Sequence, residues 1–479
     1  MSNDISLEQT SKILIGLEVH ITLNSQKKIF NWENSYRGNI FPNSQVSSWE
    51  LGYLGVLPIL NSEIIELGLK LAAALGMKIN QIILFDRKIY NYFDLPKGYQ
   101  ITQQELPFAV AGYLPIIKTG WVEKVPLKSL QFEEDTAKSI YSSEGIKLDF
   151  NRAGNPLIEL VTEPVFHDLK TVLVFIKQLQ NLLRYLEISE AKMEKGQLRI
   201  DLNFSLSWGT NYTTPRYEIK NLNSLTNLEK SVNYELSRHQ VLFLEGSSPP
   251  PSQTFGFNES KQITVAQREK ANYFYLPETN LPPIKLTSKE IQKVKKNLPE
   301  LPWILWEEMK KTDAKMADTL IENPFLLKIF NHLKKKQLTT EEKKNWITFS
   351  SSFLSPHFEE DNIEPLTKKW ESYSNLFQYW KEKKLNNREI NSLVKELKET
   401  FHGFDFLIKK YEKKTTVDPQ SIEQELKSLW DSDLDQRAAT DRQKIQNYLL
   451  GQIKKKFPDY PLKEVVSIIL NFLKEKTTK

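Results

Sequence analysis

Glu18 and His20 stand two residues apart within residues 14–24, a stretch in which every second side chain is apolar. Successive side chains of a β-strand point to opposite faces, so Ile15, Leu17, Val19, Ile21 and Leu23 face one way. Gly16, Glu18, His20 and Thr22 face the other. A carboxylate and an imidazole at that spacing can reach a single bound ion. Residues 198–206 repeat the device, with Leu198, Ile200, Leu202, Phe204 and Leu206 opposing Arg199, Asp201, Asn203 and Ser205. Over residues 216–220, Tyr217 and Ile219 oppose Arg216, Glu218 and Lys220. Three such strands predict an antiparallel sheet with one packed and one accessible face. If they lie side by side, Glu18, His20, Asp201 and Glu218 project together, and the acids repel unless a cation sits among them. Mg²⁺ holding nucleotide phosphates is the usual reason to build such a site. Three unrelated, half-exposed strands would alternate in the same way, and alternation alone leaves both readings open.

Two further stretches carry candidate chemistry. Residues 85–100 crowd Arg87, Lys88, Lys97, several tyrosines, Gln100 and a Pro96-Lys97-Gly98 turn into one segment. Lys88 and Lys97 could meet phosphates there, and tyrosine or glutamine a base or sugar; an aromatic-anchored structural loop is the competing reading. Glu133, Glu134 and Asp135 follow one another at an expected strand end. Alone they would be a solvated acidic patch, but beside Glu18 and His20 they become candidate ligands. Alternation groups Glu133 with Asp135, and Glu134 with the apolar Phe132, unless a bulge re-aims the strand. Of the six histidines only His20 lies in this constellation; His167 reads as a helix-entry residue.

The elements that must position these groups are legible in outline. A chain of 479 residues exceeds one core, so two or three domains are expected. Helices are predicted over 62–75, capped by Asn61 or Ser62 and ended by Gly76, and over 169–186 behind Asp168. Residues 247–252 form a Ser/Pro surface loop, and beyond about residue 290 the Lys/Glu-rich sequence reads as helices only. The net charge of +5 permits an acidic partner without requiring one. Lysine far outnumbers arginine, which favours diffuse phosphate contacts over bidentate base reading. The absence of cysteine excludes disulfides, thiolate zinc sites and a thiol nucleophile, and fits a reducing compartment. With no leader pattern at the start and no apolar run of membrane-spanning length, a soluble cytoplasmic protein is expected.

Together these stretches resemble the B-subunit family of the aspartyl/glutamyl-tRNA(Asn/Gln) amidotransferases (GatB). The resemblance rests on Ile15-Gly16-Leu17-Glu18-Val19-His20, Phe85-Asp86-Arg87-Lys88, Leu95-Pro96-Lys97-Gly98-Tyr99-Gln100-Ile101 and Glu133-Glu134-Asp135. It continues through Asn151-Arg152-Ala153-Gly154, Pro156-Leu157-Ile158-Glu159, Val161-Thr162-Glu163-Pro164, Leu198-Arg199-Ile200-Asp201 and Glu218-Ile219-Lys220-Asn221. It is strong over residues 13–285, thins from 300 to 440 and recovers slightly at 448–453.

The resemblance implies an α+β architecture. A β-rich, cradle-shaped catalytic domain with an antiparallel sheet would occupy 1–290, for ATP, Mg²⁺ and the tRNA acceptor end. A helical domain (291–400) and a small helical tail domain in contact with tRNA (401–479) would follow. It implies an ATP- and Mg²⁺-dependent ligase of the glutamine-amide-donor type, working within a heterotrimer. Such an enzyme phosphorylates the side-chain carboxylate of misacylated Glu-tRNA(Gln) or Asp-tRNA(Asn), and ammonia then displaces the phosphate. Carried over residue by residue, the metal-binding and catalytic positions fall on Glu18, His20, Glu134, Asp201 and Glu218, with Lys88, Lys97, Tyr99 and Lys220 lining the nucleotide pocket. The implied partners are the glutaminase (amidase) of the amidotransferase, which supplies ammonia, its small third subunit, and misacylated tRNA, with no membrane. Many relatives carry zinc-binding cysteine pairs in the first hundred residues; residues 30–33 and 47–50 carry none here, so no zinc is expected. Ile89 and Phe93 stand where the family usually has Asn and Pro, which bears on the nucleotide contacts. Two rival readings are a tRNA-binding scaffold that has lost catalysis and an ATP-dependent ligase acting on a small carboxylic acid. The acids at 18, 134, 201 and 218 speak against the first, and the long helical C-terminal part against the second.

Overall fold

The computed structural model describes residues 11–38, 40–118, 120–208, 212–266, 273–358, 361–412, 419–431, 434, 442–457, 460 and 462–477. The chain divides into two compact units, Met1–Lys344 and Asn345–Lys479. The first contains β1 (Ser11–Thr22), β2 (Asp86–Ile89), β3 (Tyr99–Thr102), β4 (Tyr113–Lys118), β5 (Trp121–Glu134) and β6 (Pro156–Thr162). It continues with β7 (Leu198–Trp208), β8 (Tyr217–Leu222), β9 (Thr254–Asn258), β10 (Ile263–Ala266) and β11 (Phe274–Pro277). One large sheet runs β10-β9-β8-β7-β1-β6-β5 and ends in two short strands, Ala109–Val110 and Lys78–Ile79. The three alternating stretches of the sequence are thus neighbours, in the order β8-β7-β1. Pairing between the long strands is antiparallel, as expected, except for the parallel β8–β9 pair. A second sheet, β11-β2-β3, carries the Arg87-Lys88 motif.

Register decides which side chains share a face. Glu18 is opposite Asp201, His20 lies between Arg199 and Glu159, and Asn203 is opposite Glu218. Leu17 is opposite Leu202 and Val19 is flanked by Ile200 and Leu160, while Ile158 pairs with Phe132. All of these apolar side chains are buried. A one-residue slip of β1 would expose its apolar row and bury Glu18 and His20, at a cost on the order of 10 kcal/mol. That penalty fixes the chemistry to the accessible face.

Two helices seal the apolar side. α1 (Glu63–Ala74) approaches so closely at Gly68 that a Cβ there would meet the Phe132 ring at 2.4 Å. Asn61, not Ser62, supports its start, accepting from the Glu63 N–H at 3.0 Å. α2 (Leu169–Tyr185) is capped by Asp168, whose carboxylate accepts from the Thr171 N–H at 2.7 Å. Its Gln178 side chain exchanges two hydrogen bonds of 2.8 Å with the backbone of Ile117 in β4. α3 (Leu225–Leu244), α4 (Ser288–Asn297), α5 (Pro302–Lys310), α6 (Ala314–Ile321) and α7 (Pro324–Lys334) complete the first unit. The change of texture near residue 290 therefore does not coincide with the boundary between units, because these helices pack with the sheet. Tyr185 of α2, for instance, donates to the carbonyl of Glu300 at 2.8 Å.

The stretch where the resemblance looks for cysteines is tied by a carboxylate. Glu50, 2% exposed, accepts from the Ser47 N–H at 2.7 Å and the Ser47 hydroxyl at 2.6 Å. It also takes a hydrogen bond from Asn31 and faces the buried Lys28 ammonium at 3.8 Å. Gly154, at φ +75°, leaves room for that carboxylate; a Cβ would lie 2.5 Å from its Oε1.

The elements described in the second unit are helical, as expected. Its last part, α8 (Pro419–Leu429), α9 (Arg442–Lys456) and α10 (Leu462–Thr477), has its own core around Ile422, Leu426, Leu449, Ile453 and Ile469. No described helix is long and apolar enough to cross a membrane.

Candidate active site

Two groups of potential ligands meet at His20. The side-chain ligand atoms of Glu18, His20 and Asp201 lie within 4.8 Å of one another, as do those of His20, Glu133 and Glu159. The His20 Nδ1 is 3.4 Å from Glu133 Oε2, and its Nε2 is 3.9 Å from Asp201 Oδ2. Three adjacent strands, β7, β1 and β6, with the end of β5 beyond, supply these residues. Glu218 of β8 joins through Lys220, whose Nζ lies 3.2 Å from Glu218 Oε1 and 3.6 Å from Asp201 Oδ2. A hydroxyl hydrogen bond of 3.0 Å from Thr254 fixes the other oxygen of Glu218.

The electrostatics are those of an acid-rich cluster short of positive charge. Burial opposes the His20 imidazolium, but Glu133 beside it, with Glu159 and Asp201, more than reverses this and raises the pKa to about 9. Burial would raise Glu133, yet His20, Lys88 and Arg199 hold it low. Glu159 is pushed up, first by burial and then by the charge of Glu133. Lys88 is raised as well: burial acts against its charge, while Glu133 and Glu159 outweigh burial. The Oε2 of Glu133 is buried and forms no regular hydrogen bond, meeting only the His20 imidazole at 3.4 Å. An under-bonded, ionised carboxylate oxygen beside one imidazole and further carboxylates suits a divalent cation, and a hard oxygen-rich set suits Mg²⁺.

The positively charged rim comes from the smaller sheet. In β2, Lys88 lies between Gln100 of β3 and Tyr275 of β11, with its Nζ 4.5 Å from the centre of the Tyr273 ring. Arg87 makes a bidentate pair with the buried Glu278 at 2.7 and 2.9 Å and stacks on Tyr99 at 4.4 Å. Lys88 and Lys220 therefore stand within the field of the acids, whereas Arg87 and Tyr99 lock the β11-β2-β3 sheet.

Glu134 and Lys97 do not join the cluster. Strand alternation turns Glu134 to the side opposite Glu133, where Lys97 Nζ contacts both its oxygens at 2.7 Å. The Ile101 N–H donates to Glu134 as well, at 2.9 Å. Lys97 lies 4.0 Å from the Trp49 ring centre and its side chain is 5% exposed, so its ammonium is occupied within the protein. No bulge re-aims this strand end, so it is Glu133, and not the Glu134 that the resemblance implies as a ligand, that lies on the face of His20. Glu18, His20 and Asp201 converge as anticipated, and Glu218 lies one lysine away. Sequence reasoning gave no role to Glu159 or Arg199. Glu159 follows from the period of two once β6 is placed beside β1, but nothing local announces that neighbour. Arg199 reaches Asp135 at 2.9 Å, and Arg152 approaches the same carboxylate at 3.3 Å, bracing the turn after β5.

Comparison with known proteins now decides the family. Residues 13–292 match the family model described as the GatB/GatE catalytic domain. The chain belongs to the GatB family. A relative from Coprothermobacter proteolyticus, named as the B-subunit of an aspartyl/glutamyl-tRNA(Asn/Gln) amidotransferase, is 38% identical over 372 residues, covering 72% of this chain and 77% of its own. The B-subunit of Thermosipho melanesiensis is 33% identical over 464 residues, covering 93% of this chain and 95% of its own. That of Mycoplasmopsis agalactiae is 40% identical over 304 residues, 63% of each chain. The GatB match ends at residue 292 and so takes in every residue of the acid cluster.

Proposed function

We propose that this GatB family member is the activating component of a tRNA-dependent amidotransferase, using ATP and Mg²⁺ to phosphorylate the side-chain carboxylate of Glu-tRNA(Gln) or Asp-tRNA(Asn). The convergence of Glu18, Asp201, Glu133 and Glu159 on His20, within a domain that matches the family's catalytic model, carries this reading. A carboxylate repels nucleophiles, and oxide is a hopeless leaving group. Attack of its oxygen on the γ-phosphorus of ATP, with release of ADP, converts that oxygen into phosphate. Ammonia then adds at the carbonyl carbon, phosphate departs, and the ammonium proton passes to solvent or a nearby base. Such transfers are driven chiefly by positioning and charge neutralisation.

Glu18, His20, Asp201, Glu133 and Glu159 would hold Mg²⁺, which when bound supplies neutralising charge to the transferring phosphoryl oxygens. Lys88 brings a fixed positive charge to the same field, and Lys220 holds Glu218 and Asp201 in place. The chain has no cysteine for a Cys-dependent glutaminase, so ammonia is assigned to a partner amidase, the pair being braced by a small third protein. The test is co-expression with a candidate amidase and a candidate small partner, followed by ATP- and glutamine-dependent amidation of each misacylated tRNA. Free glutamate serves as the control substrate. Amide on tRNA alone supports the reading. Amide on free glutamate would favour a small-acid ligase, and a stable complex inert toward both tRNAs would defeat the assignment.

A further inference from the structure

We propose that the cleft between the tip of the β4–β5 hairpin and α5 is an RNA contact separate from the acid cluster: an unpaired base stacks on Trp121 while adjacent phosphates meet Lys310 and Lys311. The proposal rests on the reading that this chain handles tRNA. The cleft measures about 530 Å³ and is lined by Trp121, Val122, Trp306, Glu307, Lys310 and Lys311. It is a shallow, open groove, which suits a base stacked on one face and not an enclosed small molecule.

Its two indoles differ in a telling way. Trp306 is 2% exposed and donates from Nε1 to Asp318 at 3.0 Å, so it forms a fixed wall. Trp121 is 52% exposed, although it opens a regular strand and pairs across the hairpin with Lys118. Lys118 Nζ lies 5.5 Å from the centre of the Trp121 ring and is anchored by Thr171 at 2.7 Å and Glu123 at 3.0 Å. The indole is therefore braced yet left wet, a poor use of a large apolar ring unless a flat ligand covers it. Lys310 closes one end by donating to the carbonyl of Gly120, with its Nζ 4.6 Å from the centre of the Trp306 ring.

Charge selects the kind of ligand. Among the described residues, neither Lys310 nor Lys311 forms an ion pair, and Glu307 is the one acid lining the cleft. Further along the hairpin, Lys124 lies 4.2 Å from the centre of the Tyr113 ring, a second cation beside an exposed aromatic. Lysine meets phosphate as a point charge without reading sequence, and an aromatic face accepts any base. An acidic peptide would satisfy the lysines and leave the indole face without a flat partner. From Trp121 to Glu133 the strand advances twelve residues, roughly 40 Å at the usual rise. The cleft thus engages a part of the RNA other than its reacting end.

The experiment measures affinity of the full-length chain for unacylated tRNA(Gln) and tRNA(Asn) transcripts across a salt series. Trp121→Ala is expected to weaken binding about tenfold, and Trp121→Phe to recover most of that. Lys310→Ala with Lys311→Ala should leave the indole in place and lower the slope of log affinity against log salt by about one to two. Equal affinity of native chain, Trp121→Ala and the lysine double variant would overturn the proposal and leave the catalytic reading standing. A native chain that binds neither transcript would overturn this proposal, and amidation by the assembled complex would still decide the catalytic reading separately. Loss of assembly with the amidase partner at unchanged tRNA affinity would overturn it too, by making the cleft a protein interface.

Discussion

Glu133 and Glu134 are neighbours in sequence, both almost wholly buried, and the protein treats them in opposite ways. Glu134 is saturated: Lys97 covers both oxygens and a backbone N–H adds a third contact. Glu133 has an oxygen with no well-formed hydrogen bond, its only close counter-charge being the His20 imidazole at 3.4 Å, and a second acid, Glu159, lies close enough to disturb both titrations. A buried charge is costly unless fully paired. One face of the strand end meets that demand from within the chain. The other leaves it unmet, as a site that must accept a cation from outside would. Full pairing is what a structural carboxylate needs, and incomplete pairing is what the proposed cation site would use.

The largest effect that can break this contrast is on catalysis. Glu133→Gln keeps the shape of the side chain and removes the charge. It should reduce ATP-dependent amidation at least a thousandfold, on the order of 4 kcal/mol of transition-state stabilisation. Mg²⁺ binding, followed by calorimetry, should weaken alongside, while the melting temperature holds. Full activity in that variant would show that the under-bonded oxygen has no part in the chemistry.

Next in size is a loss of stability on the opposite face. Lys97→Met strands Glu134 as a buried carboxylate without its counter-charge, and breaking such a pair costs about 3 kcal/mol or more. Urea unfolding should reveal it. The loss should shrink in acid, because a stranded carboxylate has a raised pKa and the folded state regains its proton first. Mg²⁺ affinity of the molecules that remain folded should change little. A Lys97→Met protein as stable as the native chain, but unable to bind nucleotide, would restore Lys97 to the phosphate site.

A smaller effect is graded by pH. In the metal-free chain the surrounding carboxylates keep His20 protonated up to about 9. That proton must leave before a cation can take its place, so cation affinity should rise with pH below 9, by up to tenfold per unit, and then level off. The stability of the metal-free fold runs the other way. The folded pKa exceeds the ordinary value of 6.5, so the contribution of His20 is complete below 6.5 and is lost as pH rises through about 9. Isothermal titrations with Mg²⁺ at pH 6.5, 7.5 and 8.5 test the first statement, and a flat series would remove His20 from the ligand set.

How much of this was legible in the chain follows from what each signal reports. Alternation exposed the faces of β1, β7 and β8, because a slip there is penalised by the whole apolar row. It also placed Glu133 and Glu134 on opposite sides, as the structure does, with Glu133 and not Glu134 on the face of His20. Glu159 stayed silent because its role depends on β6 lying beside β1, a pairing across some 140 residues that no local pattern encodes. The pairing of Lys97 with Glu134 was not legible, because a lysine in a Pro-Lys-Gly turn reads the same in sequence whether its ammonium faces a phosphate or a buried acid. The helices beyond residue 290 were visible by periodicity, but the packing of α5, α6 and α7 within the sheet unit was not, since a helix names its buried face and not its partner.

The smallest predicted change is the sharpest test of the contrast. Lys97→Met combined with Glu134→Gln removes both charges, so no ion is left stranded. The glutamine oxygen can still accept from the Ile101 N–H, as Glu134 does at 2.9 Å. Replacing a buried ion pair with neutral groups of similar volume is often close to thermodynamically neutral, so the double variant should lie within about 1 kcal/mol of the native chain. Most of the damage from Lys97→Met alone would then be repaired by a second substitution, the signature of two groups that matter chiefly to each other. No such rescue should exist for Glu133→Gln. Pairing it with a substitution at Lys88, a cation whose field reaches Glu133, should leave activity as low as before if the partner of Glu133 is a bound metal. If the Lys97–Glu134 double variant folds well yet loses Mg²⁺ binding, the two sides of the strand end are not separable, and the carboxylate read as structural belongs to the site after all.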